Sequence, residues 1–189
     1  QVDNKFNDVL SYLNSIEAPA YPESINSELA TEGEVLFSER CAACHGTYGI
    51  NESYPNIFVE ISKIGTDSLL SLSNYAYNNF TDWYNNSWFA QSPYSAFLEA
   101  GYGYVAPPLD GIWASAPYFH NASVPNLEGV LNSSVRPNYW RRNFQYPVYD
   151  FEKVGWEFTE ETADIDKFTY NTQLAGYGNS GHTFGDELS

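Results

Sequence analysis

The run Cys41-Ala-Ala-Cys44-His45 constrains this chain more than any other feature of its sequence. Cys41 and Cys44 are its only cysteines, and His45 is one of three histidines. Two thiols three positions apart on a helical turn can reach both vinyl groups of a haem, and the imidazole next in sequence then lies under the iron. The pattern predicts one haem c, bound covalently by both cysteines, with His45 as the proximal ligand. Gly46 then lets the chain turn away without a side chain against the porphyrin.

Three other interpretations of the cysteine pair are weaker. A redox-active thiol pair usually occurs in a βαβ context, which this sequence does not indicate. A zinc site needs further ligands, but no second cysteine pair exists and histidine is scarce. A plain disulfide between near neighbours leaves the adjacent His45 unexplained.

The sixth iron ligand stays open from the residues alone. The chain contains no Met, so a His/Met pair is impossible. The remaining imidazoles are His182, in a glycine-flanked loop that can approach a haem closely, and His120, just before a short predicted helix. A tyrosine oxygen or an open coordination position is the further alternative.

Composition restricts the partners and suggests the compartment. The net charge of −16 makes nucleic acid and anionic membrane surfaces poor partners and leaves a basic redox partner as the better match. No apolar run approaches the length of a membrane helix, about 20 residues. Because haem is attached to such sites outside the cytoplasm, we expect a periplasmic or secreted protein whose mature end is Gln1. Five Asn-x-Ser/Thr sequons allow glycans: Asn51, Asn79, Asn85, Asn121 and Asn132.

Helical periodicity is concentrated in the first half of the chain. Apolar residues predict an amphipathic helix over 5–16, capped by Asp3 or Asn4 and followed by a linker to residue 30. A second helix is expected from Thr31, whose spacing to Glu34 fits a capping box, into Cys41. Further helices are expected over 67–80 (capped by Asp67), 92–100 and 123–131 (capped by Ser123), with loops over 46–66 and 101–108 and no clear periodicity after residue 131.

Several segments resemble, in the same order, the C-terminal haem domain of the latex-cleaving dihaem rubber oxygenases, distant relatives of bacterial dihaem cytochrome c peroxidases. The likeness runs from about residue 31 to 189 and is most specific in Leu-Asp-Gly-Ile-Trp-Ala and its His-Asn continuation. The segments are Cys41-Ala-Ala-Cys-His-Gly-Thr-Tyr-Gly49, Tyr54-Pro-Asn, Ile64-Gly-Thr-Asp67, 107–127, Val154-Gly-Trp156 and Asn179-Ser-Gly-His-Thr-Phe-Gly185.

The resemblance implies a mainly α, cytochrome c-like haem domain over 31–189 with long loops. The helix predicted from periodicity makes residues 1–30 an N-terminal helical extension and linker. It also implies bis-histidine ligation by the counterparts of His45 and His182, and an electron-transfer haem rather than an oxygen-binding one. His120 would then belong to a structural turn under the haem.

Two departures limit what the resemblance carries over. The family enzymes have two haem-binding motifs and this chain has one, so oxygenase or peroxidase activity is not implied. The family also continues into a terminal helix that packs on the first core helix, whereas this sequence ends at Ser189. We expect the helix at 5–16, or a neighbouring subunit, to take that place.

Three functions follow as hypotheses. The leading one is a mono-haem electron carrier, not an enzyme, whose two imidazoles exclude small ligands. The second is a small haem peroxidase or oxygenase with an open or weakly ligated iron. The third, compatible with the first, is assembly into an extracellular homo-oligomer or filament.

Supporting residues are assigned from residue type. Trp113 and Tyr118 are expected to pack near the porphyrin, because large rings suit a flat apolar cofactor. Among Arg136, Arg141 and Arg142, one is expected to pair with a haem propionate, with Arg136 the first choice. Calcium at the acidic pair Asp164 and Asp166 has weak support, because the spacing matches no known calcium loop.

Overall fold

The computed structural model describes residues 2–76, 78–91 and 96–188. The longer helices precede residue 86, and mostly short strands, loops and single turns follow. The α-helices are α1 (Val2–Asn14), α2 (Ser27–Arg40), α3 (Ala42–His45), α4 (Ile61–Ile64), α5 (Leu69–Ala76), α6 (Asn78–Asn85), α7 (Trp88–Gln91) and α8 (Leu127–Leu131). Short 3-10 turns cover Ile112–Ser115, Ser133–Val135 and Asp186–Leu188.

The expectation of a mainly α fold is wrong. Within the described residues, seven short strands form three small antiparallel sheets, with the strand orders β1-β2, β6-β3-β7 and β4-β5. Strands of two to four residues carry too few alternating side chains to be read from periodicity. They are β1 (Phe58–Glu60), β2 (Gly103–Val105), β3 (Tyr139–Arg142), β4 (Tyr149–Asp150), β5 (Gly155–Trp156), β6 (Phe158–Glu161) and β7 (Tyr170–Asn171).

The first two predicted helices exist, but their caps differ from those expected. Asp3 and Asn4 lie within α1 and not before it. Helix α2 begins four residues before Thr31, where the Asn26 side chain accepts hydrogen bonds from the backbone N–H groups of Glu28 and Leu29. The Thr31 hydroxyl instead donates to the Ser27 carbonyl inside the helix. Asn26 is therefore the N-cap, and the capping box at Thr31 is wrong.

The later elements follow the sequence only in part. Asp67 does bind the start of α5, accepting from the Leu69 N–H at 2.9 Å. The loop expected over 46–66 contains β1 and α4, and the connection over 101–108 contains β2. Helix α8 begins at residue 127 and is capped by Asn126, not by Ser123. Of the helix expected over 92–100, residues 92–95 lie outside the described chain and 96–100 are not helical.

A small apolar core lies in the second half of the chain. Trp140, on β3, is 3% exposed, and its indole N–H donates to the carbonyl of the fully buried Ser123. Val124 beside it is also fully buried. Many large apolar side chains elsewhere are half-exposed, including Val9, Leu10 and Leu13 on α1, Ile16 just after it, and Leu29, Val35 and Leu36 on α2. Helix α1 therefore does not cover the apolar face of α2.

Two hydrogen bonds attach the linker after α1 to the second half of the chain. The Trp113 indole donates to the Pro19 carbonyl at 2.8 Å, and the Tyr21 hydroxyl donates to the Phe151 carbonyl at 2.7 Å. The domain boundary at residue 30 remains a prediction. In the described part of the chain, no helix is both long and apolar enough to cross a bilayer.

The cap of α2 can be tested by paired substitutions. Asn26→Ala should lower the free energy of unfolding by about 1 kcal/mol, because two amides lose their acceptor. Thr31→Ala should change it by no more than about 0.5 kcal/mol, because alanine is the better helix former at an exposed interior position. Urea denaturation measures both, and a larger loss for Thr31→Ala would contradict the assignment.

Candidate haem site

The Cys-Ala-Ala-Cys-His run forms a short helical turn at the end of α2. The N–H of Cys41 still bonds to the Phe37 carbonyl at 2.8 Å, and the Cys41 carbonyl accepts from the N–H groups of Cys44 and His45, both at 3.0 Å. The two thiols and the imidazole are thus presented on one turn, as their spacing predicts. The structure contains no disulfide between the two cysteines.

The chain reverses at Gly46 for a reason that the sequence does not show. Gly46 has a φ of +89°, and a Cβ there would overlap the Ser53 carbonyl oxygen. That oxygen accepts from the Thr47 N–H at 2.8 Å in a small antiparallel bridge. The glycine is therefore required by its own backbone, whatever lies beside it.

One ring nitrogen of His45 is committed to the protein. Its Nδ1 lies 2.8 Å from the Pro107 carbonyl oxygen, so this nitrogen carries the proton and donates. Nε2 is then the nitrogen with a free lone pair, as in metal-binding histidines whose other N–H is held by a carbonyl. Beside the ring lies an open cleft of about 350 Å³, lined by Thr47, Tyr48, Glu52, Ser53, Tyr54, Pro108 and Asp110.

His182 lies in a loop that is held against the end of α4. Its N–H donates to the Ile64 carbonyl at 2.7 Å. Immediately before it, Gly181 has a φ of +75°, and a Cβ there would overlap the backbone of Gly65 and Thr66. His182 itself has a φ of +46°, a region that residues other than glycine seldom adopt. The backbone conformation at this residue is therefore imposed by its surroundings.

These two segments bring the imidazoles of His45 and His182 together. Their ring centroids are 6.2 Å apart, and the ring planes are inclined at 63°. A metal–nitrogen bond of about 2.0 Å, plus about 1.2 Å from nitrogen to ring centre, places two imidazoles on opposite sides of one metal roughly 6.4 Å apart. The observed separation fits a pair of axial ligands.

The surroundings of His182 favour a neutral imidazole. Burial, and next the nearby His45 ring, lower the pKa of His182. Phe119 and Phe184 flank the ring at centroid distances of 5.8 and 5.3 Å. Nδ1 is buried and, among the described residues, has no hydrogen-bond partner of good geometry, although the Val130 carbonyl lies near the ring. A buried nitrogen without a hydrogen-bond partner costs free energy, and the protein contacts of the His182 ring do not compensate for that cost.

The thiol environment does not resemble that of a redox-active cysteine pair. Burial raises the pKa of the Cys41 thiol, and the adjacent Arg40 only partly opposes this. Reactive thiols of that class have depressed pKa values instead. Together with the geometry of the two histidines, this supports the interpretation of the run as a haem attachment site.

The other predicted site residues lie elsewhere. His120 stacks on Tyr104 with ring centroids 4.1 Å apart, and burial lowers its pKa. Trp113 packs in an aromatic cluster with three rings: Tyr21, Tyr149 and Phe151. The buried Tyr118 donates to the Val154 carbonyl at 3.0 Å. In the described structure none of these three side chains has a ring contact with His45 or His182.

The three arginines have protein partners. Arg136 donates to the Gly129 carbonyl in α8 and to the carbonyls of Asn179 and Gly181 in the His182 loop. Its guanidinium lies 5.0 Å from the centre of the Phe119 ring. Arg141 pairs with Asp166 at 3.4 Å, and Arg142 lies over the rings of Phe144 and Trp156.

The acidic pair considered for calcium accepts hydrogen bonds from the protein itself. Asp164 accepts from the Asn171 amide, and Asp166 accepts from Arg141 and from the Phe168 N–H. In residues 2–76, 78–91 and 96–188, no group of three or more His, Cys, Asp or Glu side chains is placed to hold a metal ion.

Two residues that hold the His182 loop could not be identified from the sequence. The Asp67 carboxylate accepts from the N–H groups of Gly176 and Gly178, and the Asn121 amide donates to the carbonyls of the same two residues. Their partners are backbone groups far away in sequence, so residue type alone gave no signal.

Comparison with known proteins supports a cytochrome. Residues 103–141 match the family described as RoxA-like, cytochrome c-like. The matched stretch contains Pro107, which accepts from His45, and Phe119 and Arg136, which surround the His182 loop. This local match supports the interpretation of the chain as a haem-binding protein of the cytochrome c type.

Two curated relatives share nearly the whole chain. The uncharacterised proteins y4iM and y4iJ of Sinorhizobium fredii are 28% identical over 203 residues and 27% identical over 230 residues. These alignments cover 92% and 90% of this chain, but only 45% and 37% of the relatives. The chain thus spans less than half the length of the proteins that it matches.

The requirement for glycine at residue 181 can be tested by comparing its substitution with that of Gly49. Gly181→Ala should lower the free energy of unfolding by about 3 kcal/mol, because it adds overlap with Gly65 to the cost of a positive φ. Gly49→Ala should cost about 1 kcal/mol, because Gly49 has a φ of +89° but no atom within 4 Å of the added carbon. Equal losses in urea denaturation would contradict the proposed packing constraint.

Proposed function

We propose that this chain is a mono-haem c-type cytochrome that transfers electrons. Cys41 and Cys44 would hold the haem by thioether bonds, and His45 and His182 would be its axial ligands. The observation that carries this proposal is the approach of the two imidazoles to a centroid distance of 6.2 Å beside the paired thiols. The haem supplies one-electron exchange between Fe(III) and Fe(II).

The chain's own residues define the ligand set. The Pro107 carbonyl fixes the tautomer of His45, so that the lone pair of Nε2 would be free to bind the iron. His182 is kept neutral by its surroundings and is therefore available as a ligand. With two imidazoles in place, small molecules lack an open coordination position, which favours electron transfer over peroxidase or oxygenase chemistry.

The proposed location is the periplasm or the extracellular space, because haem is attached to this kind of motif outside the cytoplasm. The net charge of −16 favours a redox partner with a basic docking surface. Association with such a partner should weaken as salt screens the two surfaces.

Replacing the distal histidine tests the ligand set. In reduced, haem-loaded protein, His182→Ala should bind carbon monoxide rapidly and stoichiometrically, whereas the wild type should not. Electron paramagnetic resonance of the oxidised variant should change from a low-spin to a high-spin signal. His120→Ala is the matched control and should behave as the wild type, because His120 stacks on Tyr104 away from the pair.

Two results would overturn this assignment. Rapid carbon monoxide binding by the wild type would indicate an open iron and favour the peroxidase alternative, which a peroxide turnover assay would then test. A pyridine haemochrome spectrum without haem c, together with free thiols, would remove the cytochrome assignment.

A second, compatible proposal is self-association through α1. Its apolar side chains Val9, Leu10 and Leu13, together with Ile16 two residues after its end, are between 47% and 57% exposed. An exposed apolar stripe of this kind favours burial against another surface. The strong negative charge of each copy opposes the contact, so association should increase as salt screens the repulsion.

Light scattering after size-exclusion chromatography tests this contact. The wild-type mass should rise with salt between about 0.1 and 1 M, over which the Debye length falls from roughly 10 to 3 Å. Leu13→Glu should abolish the rise. Ser11→Glu adds the same charge on the opposite side of α1 and should leave the rise intact; equal effects of the two variants would contradict a contact through the apolar stripe.

A further inference from the structure

Arg136 connects the C-terminal end of α8 to the His182 loop. Its Nε donates to the Gly129 carbonyl at 2.6 Å. One terminal nitrogen donates to the carbonyls of Asn179 and Gly181 at 2.7 and 2.6 Å. The other donates to the His182 carbonyl at 3.2 Å and, more weakly, to that of Val130 at 3.5 Å.

A guanidinium group has five N–H donors in a rigid plane, and here each has a backbone carbonyl as partner. Carbonyls at the end of a helix and in an irregular loop lack regular partners and need donors from elsewhere. Lysine could not replace this arrangement, because it offers three donors from a single point and no planar fork.

The same group also supports the ring beside the histidine. The Arg136 guanidinium lies over Phe119 at 5.0 Å, and Phe119 lies 5.8 Å from the imidazole. Arg136 therefore contacts the loop backbone at His182 and at two residues before it, and one ring that flanks the His182 side chain. This explains how a residue with a φ of +46° is held in place.

We propose that Arg136 is the positioning residue for His182, and that its five donors hold the imidazole opposite His45. This inference rests on the proposed bis-histidine ligation. It also gives Arg136 a role different from the propionate contact expected from its residue type, since its donors point to backbone carbonyls.

Arg136→Lys tests the proposal, with Arg141→Lys as the matched control on the neighbouring strand. In haem-loaded, reduced Arg136→Lys, carbon monoxide binding should be at least about tenfold faster than in the wild type, because the loss of two or more hydrogen bonds lets His182 leave the iron more readily. His182→Ala gives the upper limit of the rate. Arg141→Lys should match the wild type.

Amide hydrogen exchange over residues 179–184 provides a readout that does not depend on the ligation. Exchange there should be about tenfold faster in Arg136→Lys and unchanged in Arg141→Lys, because only the first variant loses contacts to the loop. Residues 28–37 of α2 should exchange equally in all three proteins.

Three outcomes separate the possible failures. Slow carbon monoxide binding and unchanged exchange in Arg136→Lys would overturn the role of Arg136 and leave the proposed function intact. Rapid binding in the wild type would overturn bis-histidine ligation, while the exchange data would still decide whether Arg136 holds the loop. If Arg136→Lys loses haem or helical content and Arg141→Lys does not, Arg136 supports the whole fold, and the proposal that it specifically positions His182 is overturned.

Discussion

The proposed site depends on the approach of two backbones, at Gly65 and Gly181. Both glycines have a positive φ, and a Cβ on Gly181 would overlap the backbone of Gly65 and Thr66. This approach, with the hydrogen bond from His182 to the Ile64 carbonyl, joins a loop near one end of the chain to a turn that follows the haem motif. The distance between the imidazoles follows from it, because His45 is fixed separately through Pro107.

Side chains provide the hydrogen bonds to the backbone of the His182 loop that neighbouring strands provide in a regular sheet. Asp67, Asn121 and Arg136 together bond to the backbone of five of the loop residues 176–182, and each anchoring side chain comes from a different part of the chain. Backbone groups that are shielded from water require partners, and in this partly buried loop distant polar side chains supply them. The loop can therefore keep a conformation that is strained at His182 and still present a defined ring.

The distribution of apolar residues connects folding to the proposed cofactor. The buried core around Val124 and Trp140 is small, whereas large apolar side chains remain half-exposed over much of the chain. A bound haem contributes a broad apolar surface, and a ligand that binds only the folded state stabilises it in proportion to its affinity. Two thioether bonds would make that contribution permanent, so we expect folding and haem attachment to be coupled.

The sequence predicted the chemistry of the haem site better than the contacts that hold the site in place. The spacing from Cys41 to His45 indicated the attachment turn because the chemistry is local, and the glycines around His182 indicated a loop that can approach a haem closely. The short strands could not be read, since two to four residues carry no reliable period, and the cap at Thr31 was wrong because Asn26 competes four residues earlier. Arg136 was predicted to pair with a haem propionate, whereas its partners within the protein are backbone carbonyls, which no residue type reveals.

The position of the family match is consistent with a separation between the residues proposed as ligands and the residues that orient them. The match covers residues 103–141, which contain neither the cysteines nor the two proposed axial histidines. They do contain Pro107, which fixes the tautomer of His45, and Phe119 and Arg136, which contact His182 and its loop. A segment that contributes no ligand can therefore determine the orientation of both, because each imidazole is oriented by a group from this one stretch. The two proposed ligands need only a short turn and a short loop, while the matched segment contributes to the orientation of each ring.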